Sequence, residues 1–331
     1  MKIILKKINI IIYMKIVVTG GTGMVGSCIK QIIDSSKESI NYKDANFIFL
    51  SSKDVDLTDR KRTLDFFMYA SADYIIHLSA NVGGLYKNQE NNIKMFSDNI
   101  KMNENVLEAC RINKVMRGIF VLSSCIYPIN PSKFPMDESM VHESPPHYSN
   151  EGYAYAKRML EMQCRQHNKL GYEFICLTPV NLYGPYDNFK IKDAHLIPAL
   201  MHRFHIHNQI GKKLVAYGTG RPERQFLYSI DFAKIILNIL LENKDIKSGN
   251  IICCTDEEYK IIDVVDKLAD VMELDKKSIF WDSTKADGCM KKTVSNNKLK
   301  KIIKDYNFIP LSLGLEETYR WFVNNYDTIR K

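Results

Sequence analysis

Apolar runs of strand length alternate with amphipathic stretches of helical period through the first half of the chain. Residues 15–19 (KIVVT) form a β-branched run that stops at Gly20, and an apolar period close to 3.6 residues follows over residues 24–33. Further strands are expected at residues 46–51 (NFIFLS), 74–78 (YIIHL), 118–123 (GIFVLS) and 173–178 (EFICLT). Helices are expected between them, including residues 91–112 and 153–169. Strands that are apolar on both faces and alternate with helices build a parallel sheet covered on two sides. The expected fold class is α/β, a doubly wound parallel sheet of the Rossmann type with a smaller C-terminal α/β substrate domain.

After Pro179 the alternation loosens. Turn clusters fall at residues 183–185 (YGP) and 217–220 (YGTG), and a late helix is expected over residues 316–325. Residues 229–240 (SIDFAKIILNIL) and 250–254 (NIICC) read as a helix and a strand that return to the first sheet. The expected organisation is an extension over residues 1–13, a cofactor-binding domain over 14–180 and a substrate-binding domain over 181–331, with 225–255 returning to the Rossmann sheet. No internal repeat or low-complexity linker interrupts this plan.

Length agrees with two lobes sharing a cleft, because 331 residues exceed the roughly 250–300 at which single cores stop growing. The 45% apolar and 25% charged content leaves no case for disorder. A net charge of +8 is spread along the chain with no basic run interleaved with aromatics. That excludes nucleic acid as the expected partner and suits small polyanions. The eight cysteines form no CxxC pair and no zinc spacing, which reads as reduced thiols in the cytoplasm. The basic, apolar residues 1–13 run into a strand without a small-residue cleavage site, and their apolar stretch is too short to span a bilayer. Neither a membrane nor a secretory role is expected.

Gly20, Gly21, Thr22, Gly23, Met24, Val25 and Gly26 give the spacing GxxGxxG between the first strand and the first helix. Glycines there allow a tight turn and close backbone approach, so that the helix N-terminus faces a pyrophosphate. An acid after the second strand would accept from a ribose 2′-hydroxyl, whereas a 2′-phosphate needs a cation. Here Ser52 and Lys53 follow that strand, with Asp56 placed to reach the adenine, so NADPH is favoured over NADH. An ordinary surface lysine is the competing reading of Lys53.

Tyr153 and Lys157 lie four residues apart at the start of a helix and share one face. An ammonium beside a phenol stabilises phenolate, as a proton donor and acceptor for carbonyl reduction requires. Ser123 and Ser124 end the fourth strand at the carboxyl edge, where ligands of such sheets bind. Their hydroxyls suit either a substrate carbonyl or a turn cap, and Cys125 beside them suits either chemistry or core filling.

The glycine turn, the strand-end serine and YxxxK occur in the order found in extended short-chain dehydrogenase/reductases. Within them the chain resembles the GDP-L-fucose synthase family. The resemblance is carried by residues 77–84 (HLSANVGG), 123–128 (SSCIYP), 179–189 (PVNLYGPYDNF), 195–200 (HLIPAL), 217–220 (YGTG), 224–226 (RQF), 285–288 (KADG) and 291–292 (KK). It spans the chain from about Met14 to its end.

The resemblance implies Ser123, Tyr153 and Lys157 as the reductase triad, and Cys125 and His195 as the pair that moves protons in epimerisation. Leu57, Ala80, Val121, Leu122, Pro179, Val180 and His195 join the cofactor contacts, with Asn181 and Leu182 at the nicotinamide end. Asn181, Arg203, Tyr217, Arg224 and Asp287 would contact the sugar nucleotide. The family often carries Trp at the place of Tyr217 and Arg at that of Lys53; aromatic and cationic character are kept. The implied reaction converts GDP-4-dehydro-6-deoxy-D-mannose to GDP-L-fucose in a homodimer, with Cys125 as base and His195 as acid at C3 and C5 before hydride reaches C4.

Two other readings use the same residues. A 4,6-dehydratase or 4-epimerase would retain NAD and usually carries Asp-Glu after a Thr where this chain has Ser-Cys-Ile. A non-catalytic NADP-binding regulator would lack Tyr153 or Lys157. His202, His205 and His207 are expected to be incidental helix histidines and not metal ligands, and the Asp187–Asn188 spacing fits no calcium loop.

Overall fold

The computed structural model describes residues 14–35 and 45–331; the expected extension over 1–13 lies outside them. Strand β1 (Met14–Thr19) leads through a glycine turn into α1 (Met24–Ser35). Then follow β2 (Ala45–Leu50), α2 (Arg60–Ala70), β3 (Tyr74–His77), α3 (Leu85–Ile112), β4 (Arg117–Val121), α4 (Glu151–Asn168) and β5 (Glu173–Pro179). The second half contains β6 (Asn181–Tyr183), α5 (Leu196–Gln209), β7 (Leu214–Tyr217), β8 (Glu223–Arg224), β9 (Phe226–Tyr228), α6 (Ser229–Leu237) and β10 (Gly249–Cys253). It closes with β11 (Tyr259–Lys260), α7 (Ile261–Val271), β12 (Ile279–Asp282), α8 (Asn297–Ile302) and α9 (Leu311–Asn324).

Six strands form one parallel sheet in the order β10-β5-β4-β3-β1-β2. The order reverses at β1, so the carboxyl ends of β1, β3 and β4 open onto one crevice. Apolar side chains point from both faces of these strands into helices; Val17, Ile76, Ile119 and Ile175 are fully buried. A second core joins α5, α7 and α9 around Phe204, Leu268 and Phe322. β10 pairs with β5 although β6 to β9 intervene in sequence, so the chain leaves the sheet after Pro179 and comes back.

Three element ends differ from the periodicity by three residues or more. α3 starts six residues earlier than its periodic stretch, and Asn91 interrupts it with φ −131° and ψ 25°. The polar run over residues 87–92 (KNQENN) conceals that start. α6 stops at Leu237 and passes into a wider π turn over Asn238–Glu242. Arg117, buried at the start of β4, donates to the carbonyls of Ile239 and Leu240 at 3.0 and 3.2 Å, stabilising that turn across the sheet edge. α9 begins at Leu311, ahead of the expected residue 316. No helix among the described residues is long and apolar enough to cross a membrane.

Candidate active site

The turn between β1 and α1 has Gly20 at φ +68°, a left-handed conformation that favours glycine. A Cβ on Gly26 would sit 2.6 Å from the Gly21 backbone, so the helix can lie this close to the turn only without a side chain there. The first turn of α1 contains no acid, which leaves its positive dipole end uncompensated. The cradle and the bare helix end fit a pyrophosphate. At the tip of β2, Ser52 and Lys53 are exposed. Asp54 takes the Ser51 amide and hydroxyl at 2.8 and 2.6 Å, folding the loop beneath them. Asp56 accepts from the amide and hydroxyl of Thr58 at 2.9 and 2.8 Å through one oxygen. Leu57 beside it is buried.

Ser123 follows β4 in extended conformation and starts a one-turn 3₁₀ helix over Ser124–Ile126, its hydroxyl accepting from the Cys125 amide at 3.4 Å. The two readings of this serine therefore coexist in one residue. Arg158, on α4, holds the turn by donating to the carbonyls of Ile126 at 2.7 Å and Ser144 at 2.8 Å. Cys125, Tyr153, Met95 and Ala154 pack as a small buried cluster against Ala80. Tyr153 and Lys157 occupy the first turns of α4, with the Lys157 nitrogen 5.9 Å from the Tyr153 ring centre and hydrogen-bonded to the Val121 carbonyl at 2.6 Å. Thus serine, cysteine, tyrosine and lysine converge at the carboxyl edge of β4. Leu122 donates its amide to the Leu177 carbonyl at 2.8 Å, and Val180 donates to Cys253 at 3.2 Å. Both bonds fix the strand ends around this edge.

Burial sets the protonation of the group. It raises Tyr153 above the ordinary phenol value, and the Cys125 sulfur adds to the rise. The expected lowering of Tyr153 by Lys157 is thereby corrected for the unliganded protein, in which desolvation outweighs the cation and the phenol keeps its proton. Lys157 is pushed down to about 8, mainly by burial. Cys125 is raised by burial, while Lys292, Ser123 and Lys157 pull it back.

His195 enters from the other lobe as the N-cap of α5. A Cβ on Gly84, the N-cap of α3, would collide with the Ala194 carbonyl, and the Gly84 amide donates to Asp193 at 2.9 Å. Close backbone contact thus ties the His195 loop to α3. His195 keeps an exposed face, and desolvation by the surrounding loop together with Lys87 lowers it below the usual imidazole value. Asn181 starts β6 and donates to the Gln225 carbonyl at 2.9 Å, while Leu182 lies next to it in the same strand.

On the substrate lobe, the Arg203 guanidinium carbon stands 3.9 Å from the Tyr217 ring centre. Asp287 accepts from the amide and hydroxyl of Thr219 at 2.6 and 2.7 Å, and Arg224 donates to the carbonyls of Glu223 and Cys289. Motif reading passes over Tyr86 and Arg158, and it includes Lys292 only as half of the 291–292 pair, without a role. Each becomes visible only through a partner distant in sequence: Tyr217, Ile126 and Cys125.

The histidines of α5 have local partners. His202 shares its ring nitrogens with the Phe189 carbonyl at 2.6 Å and the Tyr326 hydroxyl at 3.2 Å. His205 meets Gln209, and His207 meets the Lys213 carbonyl. No group of three metal-ligating side chains occurs among the described residues.

Residues 16–254 match the NAD dependent epimerase/dehydratase family. The GDP-L-fucose synthase of Dictyostelium discoideum is 39% identical over 96% of this chain and 97% of its own. A probable GDP-L-fucose synthase of Drosophila melanogaster is 35% identical over 96% and 99%. A crystal structure of a GDP-L-fucose synthetase from Naegleria fowleri bound to NADP superposes with a TM-score of 0.87 at 38% identity, covering 96% of this chain and 95% of that one. The chain, with its glycine cradle, its Ser–Tyr–Lys edge and the added cysteine and histidine, therefore belongs to the NAD dependent epimerase/dehydratase family and, within it, to the GDP-L-fucose synthases.

Proposed function

We propose that this protein converts GDP-4-dehydro-6-deoxy-D-mannose to GDP-L-fucose, epimerising C3 and C5 and then reducing the C4 ketone with NADPH. The observation that carries this reading is the junction of two kinds of chemistry at one strand edge. Cys125 packs against Tyr153 two residues from Ser123, so a proton-transfer group adjoins the carbonyl-reducing group. A plain reductase needs only the second.

The chain's own residues divide the work. Gly20 to Gly26 and the α1 N-terminus would hold the dinucleotide pyrophosphate, and Ser52 and Lys53 would bind the 2′-phosphate. The chemistry the dinucleotide supplies when bound is a hydride for C4. The C4 ketone acidifies the protons on C3 and C5, because each carbanion is delocalised as an enolate. Ser123 and Tyr153 donate to the enolate oxygen, and Tyr153, protonated through burial, later gives its proton to the C4 alkoxide.

Proton inventory constrains Cys125 and His195. Burial leaves the first as a thiol, and desolvation by its neighbours together with Lys87 keeps the second, exposed at the surface, a neutral imidazole. That pair holds one titratable proton, as does a thiolate with an imidazolium. Cys125 as base and His195 as acid therefore start from the charged pair and end in the neutral one. For the second carbon Cys125 must release its proton and His195 must take one up, both through solvent; Lys157 and Lys292, which favour the thiolate, assist the release from sulfur.

Arg203, Tyr217, Arg224 and Asp287 receive the GDP portion. Ile93 and Phe96, left exposed on α3 at 88% and 41%, support a homodimer built on that helix, to be checked by light scattering. The eight free cysteines support a reducing, cytoplasmic setting.

Mixing the purified protein with NADPH and GDP-4-dehydro-6-deoxy-D-mannose and identifying the product sugar tests the proposal. GDP-L-fucose is expected. A product with unchanged C3 and C5 configuration would leave only a reductase, and no NADPH oxidation would remove the activity.

A further inference from the structure

Tyr86 is the second residue of α3, on the cofactor lobe. Its ring meets that of Tyr217, on the substrate lobe, with 6.3 Å between centroids and 89° between planes. Edge-to-face geometry is a favoured arrangement for aromatic pairs, yet this pair is not core. The two residues are 37% and 38% exposed, so both rings keep surface for a further partner.

Cations border the corner made by the two rings. Arg203 lies over Tyr217, and the Lys285 nitrogen is 5.8 Å from the same ring centre. A Cβ added to Gly288 would touch both Leu85, the neighbour of Tyr86, and the Arg224 guanidinium at 3.8 Å. The first turn of α3 therefore borders the segment that carries Arg224 and Asp287. Aromatic faces beside cations suit a planar, electron-rich base carrying phosphates.

The geometry points to Tyr86 as a specificity-determining residue that grips the guanine of the sugar nucleotide together with Tyr217, dividing base recognition between the two lobes. This inference rests on the reading that the substrate is a GDP-sugar. Tyr86 is not needed to fasten α3, because the Gly84 amide already bonds Asp193 and the Asn88 side chain bonds the Gly83 carbonyl at 2.7 Å. Partial burial and the neighbouring Tyr217 raise the Tyr86 phenol, which keeps its hydroxyl protonated and able to donate to the base edge.

Titration calorimetry of GDP into the full chain loaded with NADP+ tests the inference, with inorganic pyrophosphate as the probe that lacks a base. Tyr86→Ala should weaken GDP about tenfold, the scale of one lost base–aromatic contact, and leave NADP+ and pyrophosphate binding unchanged. Tyr86→Phe keeps the ring and should restore most of the GDP affinity. With the sugar nucleotide as substrate, Tyr86→Ala should raise KM and leave kcat near the parent value. Equal GDP affinity in Tyr86→Ala and the parent overturns the role of Tyr86 alone. An equal loss for pyrophosphate and GDP assigns the effect to lobe packing and also overturns it. A parent protein that binds pyrophosphate but no more tightly GDP overturns the GDP-sugar reading and this inference with it.

Discussion

Lys157 donates a hydrogen bond from its side-chain nitrogen to the main-chain carbonyl of Val121 at 2.6 Å, tying α4 to the last residue of β4. The bond fixes the ammonium beneath the Tyr153 ring but does not repay the whole cost of burial, and Lys157 is pushed down from 10.5 to about 8. Between those two values the unfolded chain binds more protons than the folded one, so stability rises with pH across that window. Catalysis needs the ammonium and should respond in the opposite sense. Single-turnover hydride transfer is expected to fall as pH rises through about 8, and Lys157→Met should lose both the activity and the alkaline limb. A parent rate that stays flat up to pH 10 removes Lys157 from the mechanism.

Tyr153→Phe removes a hydroxyl from a residue whose ring is packed against Cys125 and Met95. The ring still fills the space, so NADPH binding and the unfolding midpoint should persist. Hydride transfer should drop by a factor on the order of 100 or more, the scale of a lost acid catalyst. NADPH fluorescence titration and stopped-flow oxidation measure the two separately, and a near-parent rate would exclude the phenol as proton donor.

Cys125→Ser keeps the shape of the strand edge and substitutes a group that ionises far less readily. Exchange of the C3 and C5 hydrogens with deuterated water should stop, while NADPH is still oxidised slowly and an unepimerised 6-deoxy sugar accumulates. Mass spectrometry of the products decides this. Normal deuterium uptake with normal fucose output would reduce Cys125 to a core filler.

Lys53 is exposed at the tip of β2, where a cation meets a 2′-phosphate and an acid meets a free ribose. NADPH should bind more tightly than NADH, and Lys53→Glu should narrow or reverse the difference. Titrations of both cofactors into both proteins give the answer. Equal affinities in the parent would contradict the assignment of Ser52 and Lys53.

Asp187 lies eight residues before His195, the α5 N-cap, and one of its carboxylate oxygens is buried without a hydrogen-bond partner. Burial raises it from 3.8 to about 7, although the Asn188 amide and Arg330 oppose the rise. Its folded value is above the unfolded one, so its contribution to stability is complete below about 3.8 and is lost as pH rises to about 7. Asp187→Asn removes the charge without a large change of shape. The variant should lack this part of the pH dependence of the urea midpoint and be more stable than the parent at pH 8. A parent-like slope between pH 4 and 7 would show that Asp187 titrates normally.

The sequence by itself determined the features whose physics is local. A β-branched run followed by GxxGxxG and an amphipathic stretch dictates strand, cradle and helix, and the four-residue interval of Tyr153 and Lys157 places both on one helical face. Strand order follows from which apolar faces are complementary in three dimensions, whereas the apolar composition of residues 249–253 already announced their return to the sheet. Only the tertiary structure decided the protonation of the site. Tyr153 and Cys125 hold their protons because segments from β3, α3 and α4 together exclude water around them, and desolvation then exceeds the pull of Lys157 and Lys292. It also brought Tyr86 to Tyr217 and Arg158 to the Ile126 carbonyl. Such pairs carry no periodic signal, because the distance between them is set by how whole elements pack and not by their separation along the chain.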